Sequence, residues 1–147
     1  MSANTPLLNF RFKVEWAGSR AGFSRVEGLN AETDVVSYRE GNDPNPTPQR
    51  IPTLIRYGDV TLTRGILLGD NAFYEFYHDV ERLRTERMDI VIKLLDESFA
   101  AVMQWHLRNA FARRLEGPVL SGTGEEGGLA IERLTLAHEG LQVDTSG

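Results

Sequence analysis

The chain has 147 residues, no cysteine and a formal net charge of −5, with 41% hydrophobic and 25% charged residues. This length suits one domain of roughly 100–200 residues, and the absence of cysteine excludes disulfides and thiol nucleophiles. The acidic balance argues against a general nucleic-acid binder, which carries a basic face.

No run approaches the ~20 apolar residues of a membrane span. The opening MSANTPLLNFRFK lacks the basic-then-apolar pattern of a signal peptide. Residues 1–7 read as a loose tail. Phe10, Phe12, Val14 and Trp16 then alternate with Asn9, Arg11, Lys13 and Glu15, the period of two of a half-buried strand. Gly18 and Gly22 bracket a turn, and Phe23 to Leu29 reads as a second short extended segment.

Residues 31–40 form the next expected strand, with Val36 and Tyr38 on the face of Asp34, and Val35 on the face of Thr33 and Ser37. Pro44, Pro46 and Pro48 follow, and proline has no N–H to give to a sheet ladder. The reading is a stiff, solvent-facing arm over residues 41–56, after which residues 59–68 return as the partner of 31–40. In that partner Val60, Leu62 and Ile66 share one face, and Asp59, Thr61 and Thr63 the other. A compact domain seldom keeps so long a loop without a use for it: it covers a site or it reaches a partner.

One helix is expected, capped by Asp70 or Asn71 and running through NAFYEFYHDVERLR. Phe73, Phe76, Tyr77, Val80 and Leu83 make one stripe at spacings of three and four, which core packing explains best. Alternation resumes at Met88 to Leu95, turns at Asp96 to Ser98, and returns through Ala101 to Arg108 as an antiparallel pair. NAFARRLEGP is less regular, SGTGEEGG is a flexible loop, and the last strand spans Leu129 to His138 with Leu134 and Leu136 inward. The sum is a mainly β chain, an antiparallel sandwich or barrel with one helix packed on it. Val91, Leu95, Ile131 and Ala137 add apolar groups to a second strand face, which calls for cover from a neighbouring subunit.

Catalytic chemistry finds little footing. GTGEEG (Gly122 to Gly127) matches G-x-G-x-x-G, but a strand follows where a dinucleotide site needs a helix, and Glu125 and Glu126 repel phosphate. His78, His106 and His138 show no metal-ligand spacing. Arg82, Arg84 and Arg87, like Arg113 and Arg114, are read as partners for the surplus carboxylates.

An ordered series of segments carries a resemblance. FRFKVEW and FSRVEGL are followed by YREGND, the proline loop and RYGDVTLTRGIL. Then come the aromatic helix, IVIKLLDES, VMQWHLRNAFARRLEGP and AIERLTLAHEGL. In this order the chain resembles the tail tube proteins of contractile phages and of related bacterial contractile injection systems. The resemblance implies a structural protein without catalytic residues or cofactor. Its subunits form hexameric rings that stack into a hollow tube, each lending strands to one continuous β-barrel. It implies as partners other copies of the chain, a contractile sheath, baseplate or spike and cap proteins, and protein or DNA cargo in the lumen, with no direct membrane anchor. Assembly in a bacterial cytoplasm and a place in a virion or tail-like particle, open to extracellular release, come with it.

On this sequence the arm implied to touch other subunits contains Asn42, Asp43, Pro44, Asn45, Pro46, Pro48, Arg50, Ile51, Pro52, Leu54 and Arg56. Many relatives carry leucine-proline-glycine where this chain has Ile51-Pro52-Thr53. Thr61 and Thr63 are the candidate lumen-facing residues. The alternative from another class is a monomeric β-barrel holding a small apolar ligand, with the arm as its lid. A hydrolase would need a pocket joining His106 or His138 to a carboxylate.

Overall fold

The computed structural model describes residues 5–16, 19–81, 87–124 and 126–145. Expectations placed on residues 1–4, Gly18, Arg82, Leu83, Arg84 and Glu125 lie outside the described residues. In chain order the elements are β1 (Phe12–Trp16), β2 (Ser19–Ala21), β3 (Arg25–Glu27), β4 (Ala31–Tyr38), β5 (Gln49–Tyr57) and β6 (Val60–Gly65). The helix α1 (Ala72–Glu81) follows, then β7 (Met88–Leu95), β8 (Ala101–Glu116), β9 (Ile131–Ala137) and β10 (Gly140–Asp144). Every pairing is antiparallel.

The 16-residue strand β8 organises the body. The main sheet runs β2-β1-β7-β8-β9-β6-β3, and β10 also pairs with β8. Along one edge of β8, β9 pairs with Phe111 to Glu116 and β10 with Gln104 to Arg108, so β9 and β10 lie end to end. The break between them, at His138 and Glu139, falls beside Asn109, where β8 takes a left-handed φ of 51°. One register shift spans this point, between Leu107 and Ala110, and a second falls between Ala112 and Arg114; together they bend β8, so its two halves belong to two facing layers. The segment NAFARRLEGP read as irregular because of these bulges: its inward residues are Leu107, Ala110, Ala112 and Leu115, whose spacing departs from two at each bulge.

Between the layers lie Val14, Val60, Leu62, Ile90, Ile92, Leu107, Leu134 and Leu136, with Phe73 and Phe76 from α1. Phe73 stacks on Phe23 at 5.6 Å between ring centroids. The stripe of α1 is therefore core packing, as its spacing predicts; the side chain of Val80 lies outside the described residues. The carboxylate of Asp70 accepts the Ala72 N–H at 3.0 Å and the Asn71 carbonyl takes the first helical bond from Glu75, so both expected caps act together.

One inward position of β6 is charged. Arg64 shares its face with Val60 and Leu62 and is 1% exposed. It donates to both carboxylate oxygens of Asp70 at 3.0 and 3.1 Å and to Glu132 at 2.7 Å, with its guanidinium 4.3 Å from the centre of the Phe73 ring. The sequence reading of this strand passed over Arg64, which follows Leu62 by two and so falls inward; its partners come from the loop before α1 and from β9. Ile66, expected on the same face, lies beyond the end of β6 and is 41% exposed.

The largest correction concerns residues 31–68. The partner of β4 is β5, not residues 59–68, and β6 pairs with β3 and β9 instead. The expected arm over 41–56 is thus a loop at 39–48 followed by strand. Arg50, Ile51, Pro52, Leu54 and Arg56 belong to β5, while Asn42, Asp43, Pro44, Asn45, Pro46 and Pro48 stay in the loop. Pro52 is tolerated because β5 pairs along one edge only and Pro52 adjoins a bulge between Thr33 and Val35.

Candidate functional site

The hairpin β4–β5 projects from the body. Every residue of β5 is exposed, and in β4 only Asp34 is half-buried. The registers place Thr33, Val35, Pro52 and Ile55 on one face, and Asp34, Val36, Tyr38 and Ile51 on the other. The bulge makes this division, because two residues of β5, Thr53 and Leu54, oppose Asp34 alone. Both faces therefore carry large apolar groups in water: Val35, Val36, Tyr38, Leu54 and Ile55 are each 45–66% exposed. A lone two-stranded ribbon is marginally stable in water, and the described residues of the protomer leave both faces of this one open.

The sequence builds the tip from its Asx-Pro repeats. Asp43 Oδ1 accepts the Asn45 N–H at 2.9 Å, and Asn45 Oδ1 accepts the Thr47 N–H at 3.1 Å. Pro44, Pro46 and Pro48 alternate with these residues and bring no N–H of their own. Arg39 spans the loop, donating to the Asp43 and Asn45 carbonyls at 2.8 and 3.0 Å. Lower down, Arg56 pairs with Asp34 at 2.8 Å, and Thr53 Oγ1 donates to the Asp34 carbonyl at 3.0 Å.

The root is clamped to the body. Gly28 holds a φ of 95°, and a Cβ there would stand 2.0 Å from the Asp59 carbonyl oxygen. The Asn30 N–H donates to Gly28 O and the Gly58 N–H to Asn30 O, at 2.7 and 3.0 Å. His138 lies 2.9 Å from Gly58 O through Nε2 and 3.1 Å from Gly140 O through Nδ1, and Arg113 pairs with Asp59. His138 thus ties the hairpin root to the break between β9 and β10. At that break Glu139 is bonded by Asn109 at 2.8 Å and paired with Arg87. The Asn109 amide, then Arg87 and Arg108, hold the Glu139 carboxyl below its ordinary range.

The expected lumen pair is split. Thr61 is half-buried, with its hydroxyl 3.4 Å from that of Thr135. Thr63 is 5% exposed, between Arg25 and Arg133 on the adjacent strands, and its Oγ1 has no hydrogen-bond partner among the described residues. Thr63 thus offers much less surface than Thr61 in this protomer.

The lid reading has no geometry behind it. An apolar groove of about 520 Å³ opens between β3 and the β1–β7–β8 layer against Phe12, Val26, Leu94 and Trp105, and no residue of the hairpin loop lines it. A smaller groove of about 280 Å³ does join His106 to Asp89 beside the hairpin root. Asp89 Oδ1 there accepts the Asn109 N–H at 3.0 Å, and the lining includes no serine, threonine or cysteine nucleophile. Among the described residues no group of three or more His, Asp or Glu side chains is placed to hold a metal, and no helix is long and apolar enough to cross a membrane.

Residues 8–142 match the family model of the T4-like virus tail tube protein gp19. The chain belongs to the tail tube protein family. Solved structures agree with this tail tube assignment. A chain from the anti-feeding prophage cap (AFP tube terminating cap) superposes with a TM-score of 0.88 at 26% identity, covering 99% of this chain and 95% of its own. A chain from the extended sheath-tube complex of PVC, an extracellular contractile injection system, gives 0.87 at 23% identity, covering 97% and 94%. Hcp1 from Flavobacterium johnsoniae shares the fold, with a TM-score of 0.57 at 15% identity over 92% of this chain and 95% of its own. Among curated proteins, none matches the tail tube chain in sequence.

Proposed function

We propose that this tail tube protein is the structural subunit of the rigid inner tube of a contractile injection system or phage tail, built as hexameric rings stacked around a channel. The observation that carries the reading is the β4–β5 hairpin, apolar on both exposed faces and held at a fixed root. Such a ribbon gains stability by lying between other copies of the chain, and exposed edges such as that of β3 are completed by strands from neighbours. The contact residues are then the loop and β5 together, from Asn42 to Arg56. Thr61 and the side chains beside it face the lumen.

A contractile sheath, a baseplate and a cap are the partners, in line with the sheath-tube, baseplate and cap assemblies from which similar chains were solved. Protein or DNA cargo would occupy the channel. The role is mechanical rather than catalytic. Electron microscopy of the purified protein or its parent particle is expected to show hexameric rings or tubes. Deleting residues 42–49 is expected to leave the circular dichroism spectrum intact and block stacking. A protein that stays monomeric at high concentration, with no tube in the particle, would refute the proposal.

A further inference from the structure

His138 sits where the hairpin root meets the break between β9 and β10, and both of its ring nitrogens face carbonyl oxygens. Nε2 lies 2.9 Å from Gly58 O, and Nδ1 lies 3.1 Å from Gly140 O. A carbonyl oxygen can only accept. A neutral imidazole has one N–H donor and one bare nitrogen that accepts. Whichever tautomer the neutral ring takes, its bare nitrogen is set against an oxygen at hydrogen-bonding distance, lone pair to lone pair. The imidazolium has two N–H donors and satisfies both carbonyls, each through a charge-assisted bond.

The position matters because few contacts fix the direction of the hairpin. β4 and β5 form a sheet of their own, so no ladder joins them to the body. Their root is held by the Asn30–Gly28 and Gly58–Asn30 backbone bonds, by the Arg113–Asp59 pair and by His138. The ring of Tyr57, the last residue of β5, lies 5.7 Å from the His138 ring. The charges around the histidine offset one another. On the hairpin side Asp59 is paired with Arg113 of β8. On the other side Glu139 is paired with Arg87, and Arg108 donates to the Glu139 carbonyl. Asp89 of β7 and His106 of β8 line the groove that Tyr57, Arg108 and Gly140 also line. With carboxylates and guanidinium groups matched in this way, the two carbonyls, rather than a net local charge, select the state of the ring.

We infer that the folded chain holds His138 as the imidazolium, and that this doubly donating ring is a pH-sensitive latch on the hairpin root. As the pH rises the ring gives up its second proton and keeps one bond. One neutral tautomer cuts the tie to Gly58 and frees the root. The other loses the anchor at Gly140 that holds the ring against the break. The latch is therefore closed in acid and opens with rising pH. The Glu139 carboxyl beside it, held below its ordinary range, changes charge only in acid. The inference concerns the protomer and does not depend on the tube reading.

The test is histidine-nitrogen NMR of the isotopically labelled full chain, in solution for the protomer or by magic-angle spinning for assembled chains. An imidazolium shows both ring nitrogens protonated and at similar shifts, whereas a neutral ring shows two well-separated shifts. His138 is expected to keep the cationic pattern at a pH where the urea-unfolded chain has lost it. The Asn30 and Gly58 amide shifts are expected to move in step as the ring turns neutral. In His138→Gln, which cannot gain or lose a proton there, that shared step is expected to vanish. A folded chain whose His138 is neutral wherever the unfolded chain is neutral would overturn the inference. So would a change in the state of the ring with no movement at Asn30 and Gly58, or the same step persisting in His138→Gln, which would assign it to a neighbouring group. If the glutamine variant does not fold, the two measurements on the unmodified chain decide the matter. Failure of the chain to form rings or tubes would overturn the tube reading and leave these measurements as they are.

Discussion

Replacing Arg64 by methionine removes the charge at the centre of the core while keeping most of the side-chain volume. The arginine is 1% exposed, and its partners Asp70 and Glu132 are 33% and 15% exposed. Removing one member of a buried pair costs about 3–5 kcal/mol, because the remaining charge loses its partner in a poor solvent. Here the lower end applies, about 3 kcal/mol, since Asp70 can rehydrate and the methionine side chain would still fill the space against Phe73. The loss localises to α1, whose first turn is held by the same Asp70 carboxylate that caps Ala72. Urea unfolding at fixed protein concentration is the assay, since assembly makes stability concentration-dependent. With a slope of about 1–3 kcal/mol per molar urea, the midpoint falls by about 1–3 M. Glu132→Leu added to the methionine variant is expected to cost less than Glu132→Leu alone, with a coupling of at least ~1 kcal/mol. A methionine variant within ~0.5 kcal/mol of the parent, with no coupling to Glu132, would show that the ion cluster does not hold the helix.

Gly28→Ala places a methyl group against the Asp59 carbonyl at a φ of 95°, so it is expected to destabilise by more than the ~1–3 kcal/mol of backbone strain alone and to displace the hairpin root; amide exchange at Asn30 and Gly58 unchanged from the parent would contradict this. Thr63→Val removes the unpartnered hydroxyl at nearly constant volume and is expected to stabilise the protein by about 1 kcal/mol; a fall in the urea midpoint would mean that the hydroxyl is satisfied in solution. Asp70, Glu15 and Glu139 are held below the ordinary carboxylate range: Asp70 first by the Ala72 N–H, Glu15 first by Lys93 and Glu139 first by Asn109. Their unfolded values are about 4. Below that pH the unfolded chain binds more protons than the folded one, so stability is full above pH ~4 and declines as the pH falls through the folded values. Equal urea midpoints at about pH 6 and about pH 3 would remove these carboxylates from the account.

Local pattern carried much of the architecture. Phe12, Val14, Ile90, Ile92, Leu134 and Leu136 follow a period of two that any two-layer β fold reads in the same way, and Phe73 and Phe76 follow a helical spacing with a capping residue at the expected place. These signals lie within one element and need no knowledge of its neighbours. Pro44, Pro46 and Pro48 likewise announced a stiff loop, because each lacks an N–H; the structure adds Asp43 and Asn45 as local acceptors.

Pairing lay beyond the sequence. Residues 49–57 carry Pro52 and exposed apolar groups on both faces, so no alternation marks them as a strand; β4 alone supplies the ladder. The bulges at Asn109 and Arg113 hid the second half of β8, since each shifts the inward face by one residue. Arg64 went unread in the sequence, since its place inward depends on Asp70 and Glu132, brought to it by a turn and by a strand 68 residues away. The sequence by itself thus determined which segments are apolar on which side and where the chain must turn. Only the tertiary structure decided which strands are neighbours, because hydrogen-bond pairing joins residues distant in the chain and leaves no local signature. From that pairing comes the projecting hairpin, with exposed apolar groups on both of its faces.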